Sequence, residues 1–233
     1  MKFLILFNIF SISYSIFIPK YELKHPRQIK YQSYIESNNF PIVIATGLPG
    51  TGKTMIGCQT AIKLFKEGKY KKIIITRPTI TVEEDLGYLP GTLQDKMYPF
   101  LIPIYDYFLD HFSKDEITSL INNNKLEVSP LAYMRGRTFR DSIVIADESQ
   151  NISINQLKML LTRIGFNSKL IITGDLMQSD IYGLNGLKHF TELLFKKYPE
   201  YYKMFSDGFA YVNLDESCIE RHEMINKIIS LYE

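Results

Sequence analysis

Eight consecutive residues give the clearest chemical signal in this chain. They run from residue 47 to residue 54 (GLPGTGKT) and match the phosphate-binding pattern G-x-x-x-x-G-K-[ST] at every fixed position. The glycines let backbone N–H groups turn inward into an anion-binding nest, which side chains would otherwise block. We expect Lys53 to reach the β- and γ-phosphates of ATP, and the Thr54 hydroxyl to bind Mg²⁺. The loop residues expected around the phosphates are Gly47, Leu48, Pro49, Gly50, Thr51, Gly52, Lys53 and Thr54.

An acidic pair follows a second apolar run. Asp147 and Glu148 come directly after Ile143-Val144-Ile145-Ala146, which is the form of a Walker B strand. Such a strand delivers its acids to the carboxyl edge of the sheet, where ligands bind in open α/β folds. We expect Asp147 to hold Mg²⁺ and Glu148 to orient the attacking water. Strand ends also carry carboxylates as helix caps, but the upstream phosphate loop favours the catalytic interpretation.

A third polar element comes later in the chain. Residues 173–178 (TGDLMQ) end another apolar run, and Gln178 is expected to sense the γ-phosphate.

Strand and helix signals surround these motifs. The apolar composition of residues 41–46 predicts a buried strand. After the phosphate loop, apolar residues recur at helical spacing, which predicts a helix that ends near Gly68. Further strands are predicted at 71–78, 126–129, 142–147, 169–173 and 209–214. Further helices are predicted at 26–38, 92–108, 114–121, 153–165 and 186–197, with a last one opening at a Ser217/Glu220 capping box. This alternation predicts an α/β domain with a mostly parallel sheet.

Composition bounds the class of protein without choosing its partner. The chain has 233 residues, 45% of them hydrophobic and 22% charged, enough for one large α/β core. A net charge of +2 excludes neither nucleic acid nor small substrates, because a local basic patch can hide in a balanced total. The two cysteines, Cys58 and Cys218, are too few for a disulfide scaffold and show no metal-binding spacing. We expect both to be reduced and structural.

The N-terminus is apolar from residue 3 to residue 18. This stretch is short for a membrane span, and it resembles a signal-peptide core without a clear cleavage site. A secreted protein would also be separated from ATP. We therefore expect residues 1–20 to be an additional segment without stable membrane insertion, ahead of a cytoplasmic domain over 21–233; a cleaved targeting peptide is the alternative.

Taken in order, the motifs resemble one family. They are 47–54 (GLPGTGKT), 76–78 (TRP), 87–91 (GYLPG), 130–138 (PLAYMRGRT), 147–151 (DESQN), 174–178 (GDLMQ) and 221–222 (RH). Together they are similar to the PhoH family over about residues 25–230. The PLAYMRGRT and GYLPG elements are specific to that family. Ser149 departs from it, since alanine is commoner there.

The resemblance implies a three-layer P-loop NTPase fold, RecA-like, with a sheet flanked by helices in a single domain. It implies ATP hydrolysis with RNA or DNA as the polymer. Gln28 resembles an adenine-reading glutamine, with a solvated helix residue as the alternative. Arg77 stands where helicases contact the nucleic-acid backbone. Arg135 and Arg137 offer further phosphate donors, or belong to a solvated or subunit-facing loop.

The resemblance also implies a homo-oligomer, with a hexameric ring as the family's form. A single RecA-like core leaves the γ-phosphate open on one side, so we expect Arg221 to complete a neighbouring subunit's site. Pairing of Arg221 with Glu216 or Glu220 is the alternative. A small-molecule kinase and a non-catalytic ATP-binding module are the rival functions. Intact Lys53 and the acidic pair favour catalysis.

Overall fold

The computed structural model describes residues 17, 19–78, 102, 104–180 and 183–219. Several predicted features therefore lie outside the described residues. These are most of the apolar N-terminus, the GYLPG element, most of the helix predicted at 92–108, and everything from Glu220 onward, including Arg221.

Among the described residues, six strands form one sheet. They are β1 (Ile42–Gly47), β2 (Lys72–Thr76), β3 (Leu126–Val128), β4 (Ser142–Ala146), β5 (Lys169–Gly174) and β6 (Phe209–Leu214). The order across the sheet is β3-β2-β4-β5-β1-β6, and every neighbouring pair is parallel. The carboxyl ends of all six strands therefore meet at one edge, which is where the predicted motifs fall.

In the described part of the chain, six helices with defined bounds accompany these strands. They are α1 (Pro26–Glu36), α2 (Lys53–Lys66), α3 (Lys114–Asn122), α4 (Ile154–Leu161), α5 (Gly186–Lys197) and α6 (Tyr201–Ser206), and residues 104–109 are also helical. Side chains fix several of the starts. The predicted capping box of Ser153 and Gln156 opens α4, and Ser113 with Glu116 opens α3 in the same way.

Two hydrophobic cores lie on opposite faces of the sheet. Alternate strand residues such as Ile73 and Ile75 pack with α1, α2 and α3, whereas Ile74 packs with α4 and α5. The strands are apolar on both faces because helices cover both. The predicted three-layer α/β fold with a parallel sheet is confirmed.

Three local features differ from the sequence prediction. Helix α4 ends at Leu161 rather than near Gly165, because Ile164 instead forms a β-bridge with Phe139. Ser217 lies inside a 3₁₀-helix, Glu216–Cys218, and Ile219 after it has an extended backbone, so no helix begins directly after Ser217; Glu220, the other half of the predicted capping box, lies outside the described residues. Helix α6 was not predicted. Among the described residues, no helix has the length and apolar character needed to cross a membrane.

Candidate active site

The phosphate-binding pattern forms the turn between β1 and α2. Gly50 and Gly52 have φ angles of 81° and 89°, a left-handed backbone that glycine adopts without strain. Gly47 is needed for a different reason. A Cβ built there would lie 2.0 Å from the backbone oxygen of Leu214 in β6. The loop thus has the strand-to-helix placement and backbone form of an anion nest.

Lys53, at the start of α2, folds back over the loop. Its Nζ donates to the backbone oxygens of Gly47 at 2.6 Å and Leu48 at 2.8 Å. Burial lowers the pKa of Lys53 below its ordinary value, and nearby carboxylates, first among them Asp175, partly oppose that shift. The ammonium is therefore held where a phosphate would meet the loop.

Thr54 joins the loop to the acidic pair. Its hydroxyl donates to Asp147 Oδ1 at 2.7 Å, and the Thr173 hydroxyl donates to the same oxygen at 2.6 Å. Asp147 itself is only 2% exposed. A hydroxyl and a carboxylate side by side suit Mg²⁺, which binds through one or two protein oxygens and fills its other positions with water and phosphate oxygens. Across the described residues, no group of three or more His, Cys, Asp or Glu side chains offers another metal site.

Glu148 is held by contacts on both of its carboxylate oxygens. Arg77 NH2 lies 3.1 Å from Oε1, and Gln150 Nε2 donates to Oε2 at 2.6 Å. The backbone of Glu148 is left-handed, with φ 54° and ψ 38°. A non-glycine residue in this conformation carries local strain, which is concentrated at functional sites in proteins.

Arg77 contacts both acids. Its Nε lies 3.1 Å from Asp147 Oδ2, in addition to the contact of NH2 with Glu148. The sequence placed Arg77 at a nucleic-acid backbone, whereas in the structure its guanidinium points into the acidic pair. Strand pairing explains this position, because β2 and β4 are neighbours and Arg77 follows β2 as Asp147 follows β4.

The element after β5 faces the same acids. Gln150 accepts through Oε1 from the backbone N–H of Asp175 at 3.1 Å, so one glutamine joins Glu148 to this element. Asp175 is buried and its Oδ2 has no hydrogen-bond partner in the described structure. Gln178 is exposed and lines the cleft.

A cleft of about 840 Å³ opens above these groups. Its lining includes the phosphate loop, the acidic pair, Asp175, Gln178, Gln28 and the segment 20–24. Gln59 fixes that segment, because its side-chain amide pairs with both the N–H and the C=O of Tyr21 at 3.1 Å. The Tyr21 ring, 40% exposed, forms part of the wall. This wall has no signal in the sequence, since neither Tyr21 nor Gln59 belongs to a recognisable pattern.

Gln28 connects α1 to the phosphate loop. Its Nε2 donates to the backbone oxygens of Thr51 at 3.2 Å and Cys218 at 3.1 Å. Both amide hydrogens are therefore used, and the side-chain oxygen is the group left to face a ligand. The residue is buried rather than solvated, which removes the alternative considered for it.

The two arginines of the loop after β3 have different surroundings. Arg137 makes a two-pronged ion pair with Glu127, with NH2 donating to Oε2 at 2.8 Å, and Lys72 contacts the same carboxylate at 2.6 Å. Arg135 is exposed. Of the two, Arg135 is the one presented to a surface ligand.

Comparison with known proteins assigns the family. The family model described as "PhoH-like protein" matches residues 20–233. The chain belongs to the PhoH family. A PhoH-like protein of Bacillus subtilis is 41% identical over 208 residues, covering 88% of this chain and 62% of the relative. A PhoH-like protein of Synechocystis is 36% identical, covering 91% and 63%, and Protein PhoH of Escherichia coli is 39% identical, covering 68% and 45%. The chain thus spans about three fifths or less of these relatives.

Two solved structures show more distant similarity. One is a Sulfolobus solfataricus SWI2/SNF2 ATPase core in complex with double-stranded DNA, with 16% identity, a TM-score of 0.46, and coverage of 84% of this chain and 46% of that one. The other is Bacteroides Pif1 in complex with ADP-AlF4, with 18% identity, a TM-score of 0.38, and coverage of 88% and 45%. This member of the PhoH family thus has a P-loop between a strand and a helix of a parallel α/β sheet.

Proposed function

We propose that this PhoH-family protein is a Mg²⁺-dependent ATPase whose turnover responds to single-stranded RNA or DNA. The observation that carries the proposal is the 2.7 Å hydrogen bond from Thr54 to Asp147, which unites the phosphate loop and the acidic pair in one cleft. Lys53 and Glu148 line that same cleft. Together these residues supply the phosphate-binding cation, the Mg²⁺ ligands and the base that phosphoryl transfer to water requires.

Each residue has a separate task in the proposed reaction. Lys53 exchanges the backbone oxygens of Gly47 and Leu48 for phosphate oxygens, which are better partners for a buried ammonium. Thr54 and Asp147 hold Mg²⁺, which neutralises charge on the β- and γ-phosphates when bound. Glu148 orients the attacking water and accepts its proton. Gln178, on the cleft wall, responds to the γ-phosphate.

The base of the nucleotide is proposed to lie between Gln28 and Tyr21. Gln28 Oε1 can accept from the 6-amino group of adenine, whereas guanine presents a carbonyl at that position. This chemistry supports ATP as the nucleotide.

The rival functions receive less support from the described residues. A small-molecule kinase needs an acceptor pocket beside the γ-phosphate, and the groups near that point are the acids, Gln150 and Gln178. A non-catalytic binding module has no need of Glu148 in a strained backbone beside the phosphate loop.

Nucleic acid and a homo-oligomer complete the proposal. Exposed Arg135 suits the phosphate backbone of a single strand. Arg221 is proposed to act on the γ-phosphate of a neighbouring subunit. Mixing Arg221→Ala with Lys53→Ala, each nearly inactive alone, should restore part of the activity, since some interfaces then combine an intact loop with an intact arginine. No recovery despite demonstrated subunit exchange would contradict the shared site.

The test of the proposed function is ATP turnover measured with and without single-stranded RNA or DNA. We expect Mg²⁺-dependent release of phosphate that rises when one of the polymers is added. Absence of turnover under all these conditions would contradict the ATPase assignment, and turnover indifferent to both polymers would contradict the coupling.

A further inference from the structure

Glu148 is engaged in a way that opposes its proposed task. Both of its carboxylate oxygens are in close contact with donors, one with Arg77 at 3.1 Å and one with Gln150 at 2.6 Å. Hydrogen bonds from these donors occupy lone pairs on both carboxylate oxygens. A water-orienting base must also have one oxygen directed at the water. The contact with Arg77 is therefore unfavourable for hydrolysis.

Arg77 is placed to exchange this contact for another. Among the contacts of the described residues, its NH2 donates to Glu148 Oε1 at 3.1 Å, and its Nε lies 3.1 Å from Asp147 Oδ2 as an ion pair without a hydrogen bond. Movement of NH2 away from Glu148 would leave the ion pair between Nε and Asp147 in place, because the two contacts involve different nitrogens. The Arg77 side chain is 19% exposed, which leaves it accessible from outside the cleft.

The loop after β3 offers a surface suited to a polymer. Strand β2 lies between β4, which carries the acids, and β3, which leads to the loop containing Tyr133 and Arg135. Tyr133 is 59% exposed and Arg135 is exposed as well. An exposed aromatic ring can stack on a base, and a guanidinium binds a backbone phosphate. Arg77 thus follows the strand that separates β4, which precedes the hydrolytic acid, from β3, which precedes this loop.

We propose that Arg77 restrains Glu148 and that a phosphodiester of single-stranded nucleic acid, by binding the guanidinium, releases Glu148 for hydrolysis. This inference rests on the proposed function and adds the means by which polymer and turnover are coupled. Arg77 is a positioning residue in this scheme, because it acts through Glu148. A guanidinium fork fits a phosphate as well as it fits a carboxylate, so the two compete for the same donor.

The experiment compares ATP turnover of the wild type, Arg77→Met and Arg140→Met, each with and without oligouridylate or oligothymidylate. Arg140 is the matched control, since it is an exposed arginine just before β4, at the end of the strand opposite Asp147. We expect Arg77→Met to raise the polymer-free rate roughly tenfold, a fraction of the effect of a general base, and to lose the further rise on adding polymer. Arg140→Met should keep both wild-type rates. A simple structural role for Arg77 would lower the polymer-free rate instead.

Polymer binding, measured by fluorescence anisotropy, gives a readout independent of turnover. Arg77→Met should bind the oligonucleotide more weakly, with a salt dependence reduced by about one phosphate contact. If the methionine variant does not fold, Arg77→Lys replaces it. Lysine carries its charge on a single group, so it should restrain Glu148 less than arginine does. The rise in the polymer-free rate of ATP turnover should then be smaller than that expected for Arg77→Met.

The outcomes separate this inference from the proposed function. A wild type without ATP turnover, or without stimulation by either polymer, would overturn the proposed function and this inference with it. A stimulated wild type together with an Arg77→Met variant of unraised polymer-free rate or unchanged stimulation would overturn the Arg77 inference alone. Stimulation by only one oligonucleotide would support the inference and identify the polymer.

Discussion

The hydroxyl of Thr54 donates a 2.7 Å hydrogen bond to Asp147, a residue 93 positions later in the chain. Thr173 donates to the same carboxylate oxygen at 2.6 Å, so the ends of β4 and β5 and the phosphate loop meet at one buried acid. Such a network holds side chains in place before a ligand binds, and preorganised groups need little rearrangement in the transition state. The acid at this point is therefore positioned by the fold rather than by the nucleotide.

Gly47 is predicted to be indispensable for packing as well as for phosphate binding. A Cβ there would lie 2.0 Å from the Leu214 backbone oxygen, so Gly47→Ala must push β6 away from β1. We expect a loss of more than about 3 kcal/mol in the free energy of unfolding. Gly68→Ala is the control, since Gly68 also has a positive φ of 73° but open space around it, and it should cost about 1 kcal/mol. Equal losses in chemical denaturation would contradict the packing argument.

We predict that Lys169 makes the free energy of unfolding increase with pH in the alkaline range. Burial lowers the pKa of Lys169 from 10.5 to about 8, although its Nζ donates to the backbone oxygens of Ser37, at 2.8 Å, and Phe40. Between these two pKa values the unfolded chain binds more protons than the folded chain, so the free energy of unfolding rises with pH. Below pH 8 both forms are protonated and the contribution of Lys169 is constant.

The measurement compares wild type with Lys169→Met by denaturant unfolding from pH 7 to pH 10.5. The free energy of unfolding of the wild type, relative to that of the variant, should rise by about 3 kcal/mol between pH 7 and pH 10.5, since each pKa unit is worth 1.36 kcal/mol. Tyrosines and cysteines titrate in both proteins and cancel in the difference. A difference that stays constant with pH would contradict the assignment to Lys169.

The sequence predicted the elements that have strong local signals and missed the contacts between distant ones. Helix α5 and strand β6 have the predicted bounds, because each has a cap, a turn or an alternating pattern of its own. The end of α4 depends instead on the bridge between Ile164 and Phe139, which no local pattern reveals. The same holds for Arg77, whose partner Glu148 is 71 residues away, and for Gln59, which is an ordinary helix glutamine by sequence.

Gln28 is predicted to distinguish ATP from GTP. Gln28→Leu removes the side-chain oxygen proposed to accept from adenine as well as the donor to Thr51 and Cys218, so both affinities should fall, and ATP affinity should fall about tenfold more than GTP affinity. Competition of ATP and GTP against a fluorescent nucleotide measures this. Gln32→Leu, one turn along α1 and away from the cleft lining, is the control. Equal losses for both nucleotides would mean that Gln28 acts only through Thr51 and Cys218.

We predict that replacing Arg135 affects oligonucleotide binding, whereas replacing Arg137 affects stability. Arg135→Ala should weaken oligonucleotide binding and reduce its salt dependence by about one contact. Arg137→Ala should instead lower the free energy of unfolding by about 1 kcal/mol, because Glu127 loses its two-pronged partner. Anisotropy titrations at several salt concentrations, with unfolding curves of both variants, make the comparison. The reverse pattern would show that the polymer contacts Arg137.

The assignment of Glu148 as the water-orienting base is tested most directly by measuring ATP binding and ATP turnover together in Glu148→Gln. The phosphate loop and Lys53 hold the nucleotide, whereas Glu148 acts in the transition state, so affinity should stay near that of the wild type while turnover falls by about 10²- to 10⁴-fold. Lys53→Ala, measured beside it, should lose most of both. Wild-type turnover in Glu148→Gln would contradict the account of this site.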